Sequence, residues 1–353
     1  MEHAKKLDEL ITIVMSENGS DLHLGDGRHP VIRSAGFLVP LVKQAVLTDA
    51  DMRGFLKVLL SEEQQTRFEK QKDVDFAYMY KDQGRFRGNA YYQQGKISVA
   101  LRLIPKRIRT FEELNLPPIL ETFAQKQQGF FLVVGPTGHG KSTTLATIIE
   151  HINQQRLEHI ITIEDPIEYV FEAKKSIIDQ REVQIDTPNF PSALRAVFRE
   201  DVDVVMIGEM REPETMSTAV TAAETGHFVM STLHTNTASQ TVERIIDSFP
   251  SDQQDQIRLQ LAGSLSGIFS QRLIPRISGG LIPAYELLIV NNAVANLIRE
   301  NRTHEINTVI ETSSKDGMID LNRSLADLVR RGEITVENAY LNAVDKKILE
   351  RMI

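Results

Sequence analysis

Apolar residues recur with two different periods along this 353-residue chain, and the change from one to the other divides it. Near the start, Leu7, Leu10, Ile11 and Val14 stand at i, i+3, i+4 and i+7, the stripe of an amphipathic helix. Arg85–Ile104, RFRGNAYYQQGKISVALRLI, reads as a hairpin, two β-rich runs around Gln-Gln-Gly-Lys. Residues 1–105 are therefore expected to form a first domain of short helices and strands. Pro105–Pro118, PKRIRTFEELNLPP, then breaks both periods with prolines and a cluster of Lys106, Arg107 and Arg109, and a linker is expected over 106–118. From 119 to 353 the rhythm becomes helix, strand, helix, strand, the mark of an α/β domain with a parallel sheet and crossover helices. The predicted strands are Phe130–Val134, Ile160–Ile163, Val204–Ile207 and Phe228–Thr232, and the predicted helices are Ser142–Asn153, Pro213–Thr225 and Thr237–Asp247. Beyond Val290, from about residue 291, the pattern is mostly helical. A chain this long exceeds one small core and suits two domains.

Each predicted strand runs straight into a polar motif: GPTGHGKS, EDPIEY, GEMRE and LHT. Parallel α/β sheets bind ligands outside the carboxyl ends of their strands, so four motifs at four such ends predict one shared site. Gly135, Gly140, Lys141 and Ser142 match the phosphate-loop pattern G-x-x-x-x-G-K-[ST]. Glycines there let backbone N–H groups turn inward on an anion, and the following helix adds the positive end of its dipole. The candidate nucleotide-binding residues are thus Gly135, Pro136, Thr137, Gly138, His139, Gly140, Lys141, Ser142 and Thr143. Lys141 is expected at the β- and γ-phosphates and the Ser142 hydroxyl on Mg²⁺. Accident produces such a match in about one chain of this length per hundred, and a strand before and a helix after make it rarer. His139 sits where only a backbone amide is needed, and its side chain is expected to be merely tolerated.

Nucleotide hydrolysis needs a carboxylate to orient and deprotonate water and another to hold the metal or its waters. Glu164, Asp165 and Glu168 lie at the end of the second strand and Glu209 at the end of the third. Taken singly, each also fits a solvated acidic loop or a buried strand ending in an acid. His234 follows the fourth strand and is expected at the active rim; His227 precedes that strand and is expected to be structural.

The remaining totals mainly exclude. The chain has no cysteine, which removes disulfides, thiol catalysis and Cys-ligated metals, and its formal net charge of −8 argues against a surface built to neutralise nucleic acid. The first residues lack the apolar core of a secretory signal, and no stretch approaches a bilayer span, so membrane association is expected only through a partner.

Together these motifs resemble the secretion-type hexameric ATPases, and within them the PilT-like retraction ATPases of type IV pili. GSDLHL (Gly19–Leu24) and GRFRGNAYYQQG resemble their PAS-like N-terminal α+β domain. ITIEDPIEYVF resembles their Asp box, VVMIGEMRE their Walker B strand and TGHFVMSTLHTNTA their His box. The resemblance implies a RecA-like core using ATP and Mg²⁺, assembled as a homo-hexamer. It also implies a cytoplasmic protein, working at the cytoplasmic face of the inner membrane on a pilus platform protein, with no membrane insertion and no nucleic acid. Glu168 matches the catalytic glutamate, with Glu164 and Asp165 supporting the metal-water shell. Glu209 matches the Walker B acid and metal partner, and His234 the histidine near the γ-phosphate. Arg85, Arg87 and Arg102 match arginines that face nucleotide across a subunit boundary. Three departures stand out: His139 where the family usually has Ser, Val202 where a proline is usual, and AVANLIRE (Ala293–Glu300), in which Val294 and Ala295 replace Ile and Arg. A DNA translocase or secretion ATPase on the same core, and a nucleotide-sensing accessory subunit with little hydrolysis, are the alternative readings.

Overall fold

A computed structural model describes every residue except Met1, Asn18, Ala35, Gly36, Asp82, Gln83, Pro105 and Lys106. The chain divides into two compact units, Met1–Arg107 and Ile108–Ile353. Of the expected linker, Pro105 and Lys106 lie outside the described residues. The stretch from Ile108 onward belongs to the second unit, because Phe111 and Leu116 are buried in the same cluster as Phe123 and Phe131. The prolines that suggested a linker mask these two apolar anchors.

In the first unit the elements are α1 (Glu2–Ser16), β1 (Gly19–Gly25), β2 (Val31–Ser34), β3 (Phe37–Pro40), α2 (Asp49–Leu59), α3 (Glu62–Gln71), β4 (Asp73–Tyr80), β5 (Gly84–Gln93) and β6 (Lys96–Ile104). The stripe predicted for α1 is fully buried. Reciprocal capping boxes start α2 and α3, through Thr48 with Asp51 and Ser61 with Gln64. The β5–β6 hairpin turns at Gln94 and Gly95, both at positive φ (51° and 75°), as a tight two-residue turn requires. Six strands form an antiparallel sheet in the order β3-β2-β1-β6-β5-β4. Along β5 the alternation is strict: Phe86, Gly88 and Ala90 are buried, while Arg85, Arg87 and Asn89 are half-buried on the other face.

The second unit begins with α4 (Leu120–Ala124) and β7 (Gly129–Val134). It continues with α5 (Lys141–Gln155), β8 (His159–Glu164), β9 (Ile177–Glu182), α6 (Phe190–Val197), β10 (Val204–Ile207), α7 (Pro213–Glu224) and β11 (Phe228–Leu233). Then come α8 (Ala238–Asp247), α9 (Ser251–Ser264), β12 (Leu265–Pro275) and β13 (Leu281–Ile289). The C-terminal helices are α10 (Asn292–Arg299), α11 (Ile306–Thr312), α12 (Leu321–Arg330), α13 (Val336–Asn342) and α14 (Lys346–Met352). The sheet order is β13-β12-β7-β11-β10-β8-β9, parallel except for the outer strand β13. Every residue of β7, β10 and β11 is buried, because helices cover both faces, and such strands appear in sequence as unbroken apolar runs. Alternate residues of β7 serve opposite layers: Phe130 and Leu132 join the cluster of Val220 and Leu261, Phe131 and Val133 that of Leu145 and Ile148. At the far ends of β12 and β13, Ile274 and Ile282 pack with Leu325 and Leu349 of the terminal helices. Three strands, β9, β12 and β13, were absent from the sequence expectation. The first is an edge strand of mixed polarity, and the second follows α9 without a turn signal. Among the described residues no helix is long and apolar enough to cross a membrane.

Candidate nucleotide-binding site

Strands β7, β11, β10 and β8 are consecutive neighbours in the sheet and all parallel. Their registers pair Val134 with Leu233, and Ile207 with both Ser231 and Ile163. The residues that follow, Gly135, His234, Gly208 and Glu164, are therefore delivered to one rim. This is the convergence that the four polar motifs predicted.

The loop leaving β7 needs its glycines. Gly135, Gly138 and Gly140 have φ of 142°, 80° and 82°, and a Cβ on Gly135 would stand 2.3 Å from the Gln271 carbonyl oxygen. Lys141 opens α5 and is buried; its Nζ donates to the carbonyls of Gly135 and Pro136 at 3.0 Å each and lies 3.4 Å from His234 Nδ1. Burial lowers the lysine's pKa, against the pull of Glu209 and Glu168. Neutral carbonyls are modest partners for a buried ammonium, and a phosphate oxygen is a stronger one. Because an ammonium only donates, His234 Nδ1 accepts, which directs Nε2–H toward Glu209 Oε1 at 3.1 Å. Thr137 Oγ1 is 3.3 Å from the same Nδ1. His234 thus joins the phosphate loop to the acid of β10.

Glu209 also accepts from Arg211 Nη2 at 2.8 Å. Burial pushes its pKa up, but the hydrogen bond and charge of Arg211, with His234 and Lys141, hold it below the usual carboxylate range. Glu164 differs. It is 5% exposed, accepts from Thr162 Oγ1 (2.7 Å), Gln180 Nε2 (3.2 Å) and the Glu168 backbone N–H (3.2 Å), and burial pushes its pKa up to about 7. Both its oxygens face protein donors, so it braces the loop that presents Glu168. Asp165 and Glu168 are exposed at this rim, and Thr143 Oγ1 meets the Tyr169 hydroxyl at 2.8 Å, tying that loop to α5. Ser142 is half-buried in the first turn of the same helix. Among the described residues no group of three or more His, Cys, Asp or Glu could hold a metal alone. The oxygen donors at this rim, Ser142 and Glu209, are of the kind Mg²⁺ takes alongside water and phosphate oxygens.

The expectation that the His139 side chain is merely tolerated is corrected. Its Nδ1 accepts the Leu273 backbone N–H at 2.9 Å, and its carbonyl accepts from Gln271 Nε2 at 2.9 Å. Strand β12 also receives Thr144 Oγ1 on Gln271 Oε1 (2.6 Å) and places Ser270 Oγ on the Asn236 carbonyl (2.8 Å). Glu286 of β13 accepts the Ala238 N–H that opens α8, at 2.7 Å. Sequence reasoning missed Gln271, Ser270, Glu286 and Arg211; the polar pair Ser270–Gln271 inside an apolar run was the available signal. At the opposite rim, His227 Nδ1 lies 3.0 Å from the Ala222 carbonyl and its ring stands edge-on to Phe198. Arg85, Arg87 and Arg102 belong to the first unit, where Arg87 and Arg102 are cross-strand neighbours and Arg102 Nε pairs with buried Asp21 at 2.8 Å.

A parallel sheet carrying a phosphate-loop pattern, an acid after the apolar strand β10 and a histidine between them defines a P-loop ATPase with a RecA-like core, here preceded by a PAS-like domain. Residues 3–281 match the Type II/IV secretion system protein family. The chain is 40% identical over 333 residues to the "Type IV pilus retractation ATPase PilT" of Pseudomonas aeruginosa, covering 94% of this chain and 96% of that one. It is 44% identical over 286 residues to a "Twitching motility protein" of Neisseria gonorrhoeae, covering 81% and 76%. A crystal structure of the pilus retraction motor PilT with bound ADP superimposes with a TM-score of 0.92 at 46% identity, over 98% of both chains. The protein belongs to the Type II/IV secretion system protein family.

Proposed function

We propose that this protein is an ATP-hydrolysing motor that powers type IV pilus retraction, acting as a homo-hexamer. The observation that carries this reading is the meeting of Lys141, His234 and Glu209 within 3.4 Å contacts beside the Glu168 loop. Lys141 exchanges the Gly135 and Pro136 carbonyls for β- and γ-phosphate oxygens. Ser142 and Glu209 would hold Mg²⁺, directly or through its waters, and the ion would supply positive charge against those phosphates. Glu168 takes the proton of the attacking water, and Glu164 and Asp165 keep its loop in place. His234 carries the presence or loss of the γ-phosphate to Glu209.

The domain division supports a moving part: a PAS-like N-terminal domain, a hinge at the junction around Arg107 and Ile108, and the ATPase domain. Arg85, Arg87 and Arg102 reach a neighbouring subunit's nucleotide, so hydrolysis in one subunit rotates the next around the ring. The load is a platform protein of the pilus machinery, met at the cytoplasmic face of the inner membrane. Measuring ATP turnover together with particle mass tests the reading. Glu168→Gln is expected to bind ATP, remain hexameric and lose about 10²–10⁴-fold in turnover. A wild-type protein that stays monomeric in every nucleotide state, or a variant with undiminished turnover, sinks it.

A further inference from the structure

The phosphate loop carries a histidine, and the strand behind it carries a buried glutamine, and neither has a part in the mechanism above. Gln271 is 3% exposed and its side-chain amide is used at both ends. The oxygen receives Thr144, one turn into α5, and the nitrogen donates to the His139 carbonyl on the other side of the loop–helix junction. Two residues further along β12, the Leu273 N–H is directed at His139 Nδ1. A backbone amide only donates, so this ring nitrogen carries no proton. His139 is therefore bound to β12 twice, by its main chain and by its ring. Gln271's carbonyl is also the atom that leaves no room for a Cβ at Gly135. One strand thus touches the first residue of the loop, its fifth residue and the helix that follows.

We propose that Gln271 and His139 are positioning residues for nucleotide binding, holding the phosphate loop in its anion-receiving form, with the His139 ring acting as an obligate hydrogen-bond acceptor. This rests on the reading of the loop as the nucleotide site. The loop's N–H groups bind phosphate only when they already converge, so a loop released from β12 must be reordered by the ligand and affinity falls. Burial disfavours protonation of the ring, and the positive charges of Arg272 on β12 and Lys141 on α5 add to it. The acceptor is thereby kept in the form the contact requires.

Asparagine separates an acceptor role from a space-filling one, since its Oδ1 stands close to where histidine carries Nδ1. The experiment is titration of the full-length hexamer with a fluorescent ADP analogue at pH 8, repeated at pH 5.5, with melting temperature as the folding control. Expected at pH 8 are a loss of about tenfold or more in affinity for His139→Ala and Gln271→Ala, and near wild-type affinity for His139→Asn. Gln271→Glu is expected to fall at least as far as Gln271→Ala, because a carboxylate meets the His139 carbonyl without a proton. Lowering the pH is expected to weaken the wild type more than His139→Asn. If wild type binds the probe and both alanine variants bind it equally well, or if His139→Asn is no better than His139→Ala, the positioning role is wrong. If wild type itself fails to bind, the nucleotide-site reading falls, and this inference with it.

Discussion

The two rims of the parallel sheet are built from the same strands and differ in what their side chains meet. At the carboxyl rim, His234 lies among Lys141, Thr137 and Glu209, all polar and two of them ionisable. At the amino rim, at the other end of β11, His227 bonds a backbone carbonyl and packs on Phe198. Strand direction explains the contrast. Loops leaving parallel strands have helix N-termini and unpaired N–H groups beside them, whereas loops entering have helix C-termini and carbonyls. Anions, and the residues that handle them, collect at the first rim.

The strongest way to break this comparison is Lys141→Ala, which empties the carboxyl rim of its buried cation. Turnover is expected to fall by at least about 10²-fold with nucleotide binding lost, while the melting temperature stays near wild type. Retained binding would show that the rim is not the phosphate site. Next comes His234→Ala, expected to lower turnover about tenfold or more with nucleotide affinity changed far less, because the ring links the loop to Glu209 rather than supplying the main charge. Equal losses in binding and turnover would count against a linking role.

Glu286 sharpens the comparison through pH. It is buried behind the His-box loop, and burial pushes its pKa up to about 7 against an ordinary 4.5. Between those values the folded state holds a proton that the unfolded state has released, so this group's contribution to stability falls as pH rises from about 4.5 to 7. Glu164 acts with the same sign. Glu286→Gln keeps an acceptor for the Ala238 N–H and is expected to flatten that decline, gaining on the order of 2–3 kcal/mol relative to wild type by pH 8 in denaturant melts. A decline as steep as wild type's would refute the assignment. The smallest effect is expected at the amino rim, where His227→Ala should cost about 1 kcal/mol of stability and leave turnover within about twofold. A large loss of activity there would erase the distinction between the rims.

Much of this was legible before folding. The buried strands announced themselves as unbroken apolar runs, since helices cover both faces, and Val204–Ile207 has the bounds its pattern predicts. The Leu7–Val14 stripe became the buried face of α1. Phosphate-loop chemistry is local, so Gly135–Ser142 could be recognised from spacing alone. Strands toward the sides of the sheet were harder: β9 opens on two isoleucines and then runs polar to Glu182, and β12 begins where α9 ends. Phe111 and Leu116 were hidden by neighbouring prolines whose turn signal was stronger than their own.

What the sequence determined by itself was whatever depends on neighbours along the chain: period, turn chemistry, the loop that curls on a phosphate, and four polar motifs each at a strand's end. Tertiary structure alone decided which carboxylate is braced inside and which faces outward, and that a glutamine 132 positions away from His139 holds the loop. Those outcomes depend on burial and on hydrogen bonds between distant strands. Desolvation and contact are properties of position in space, and a residue's name carries neither.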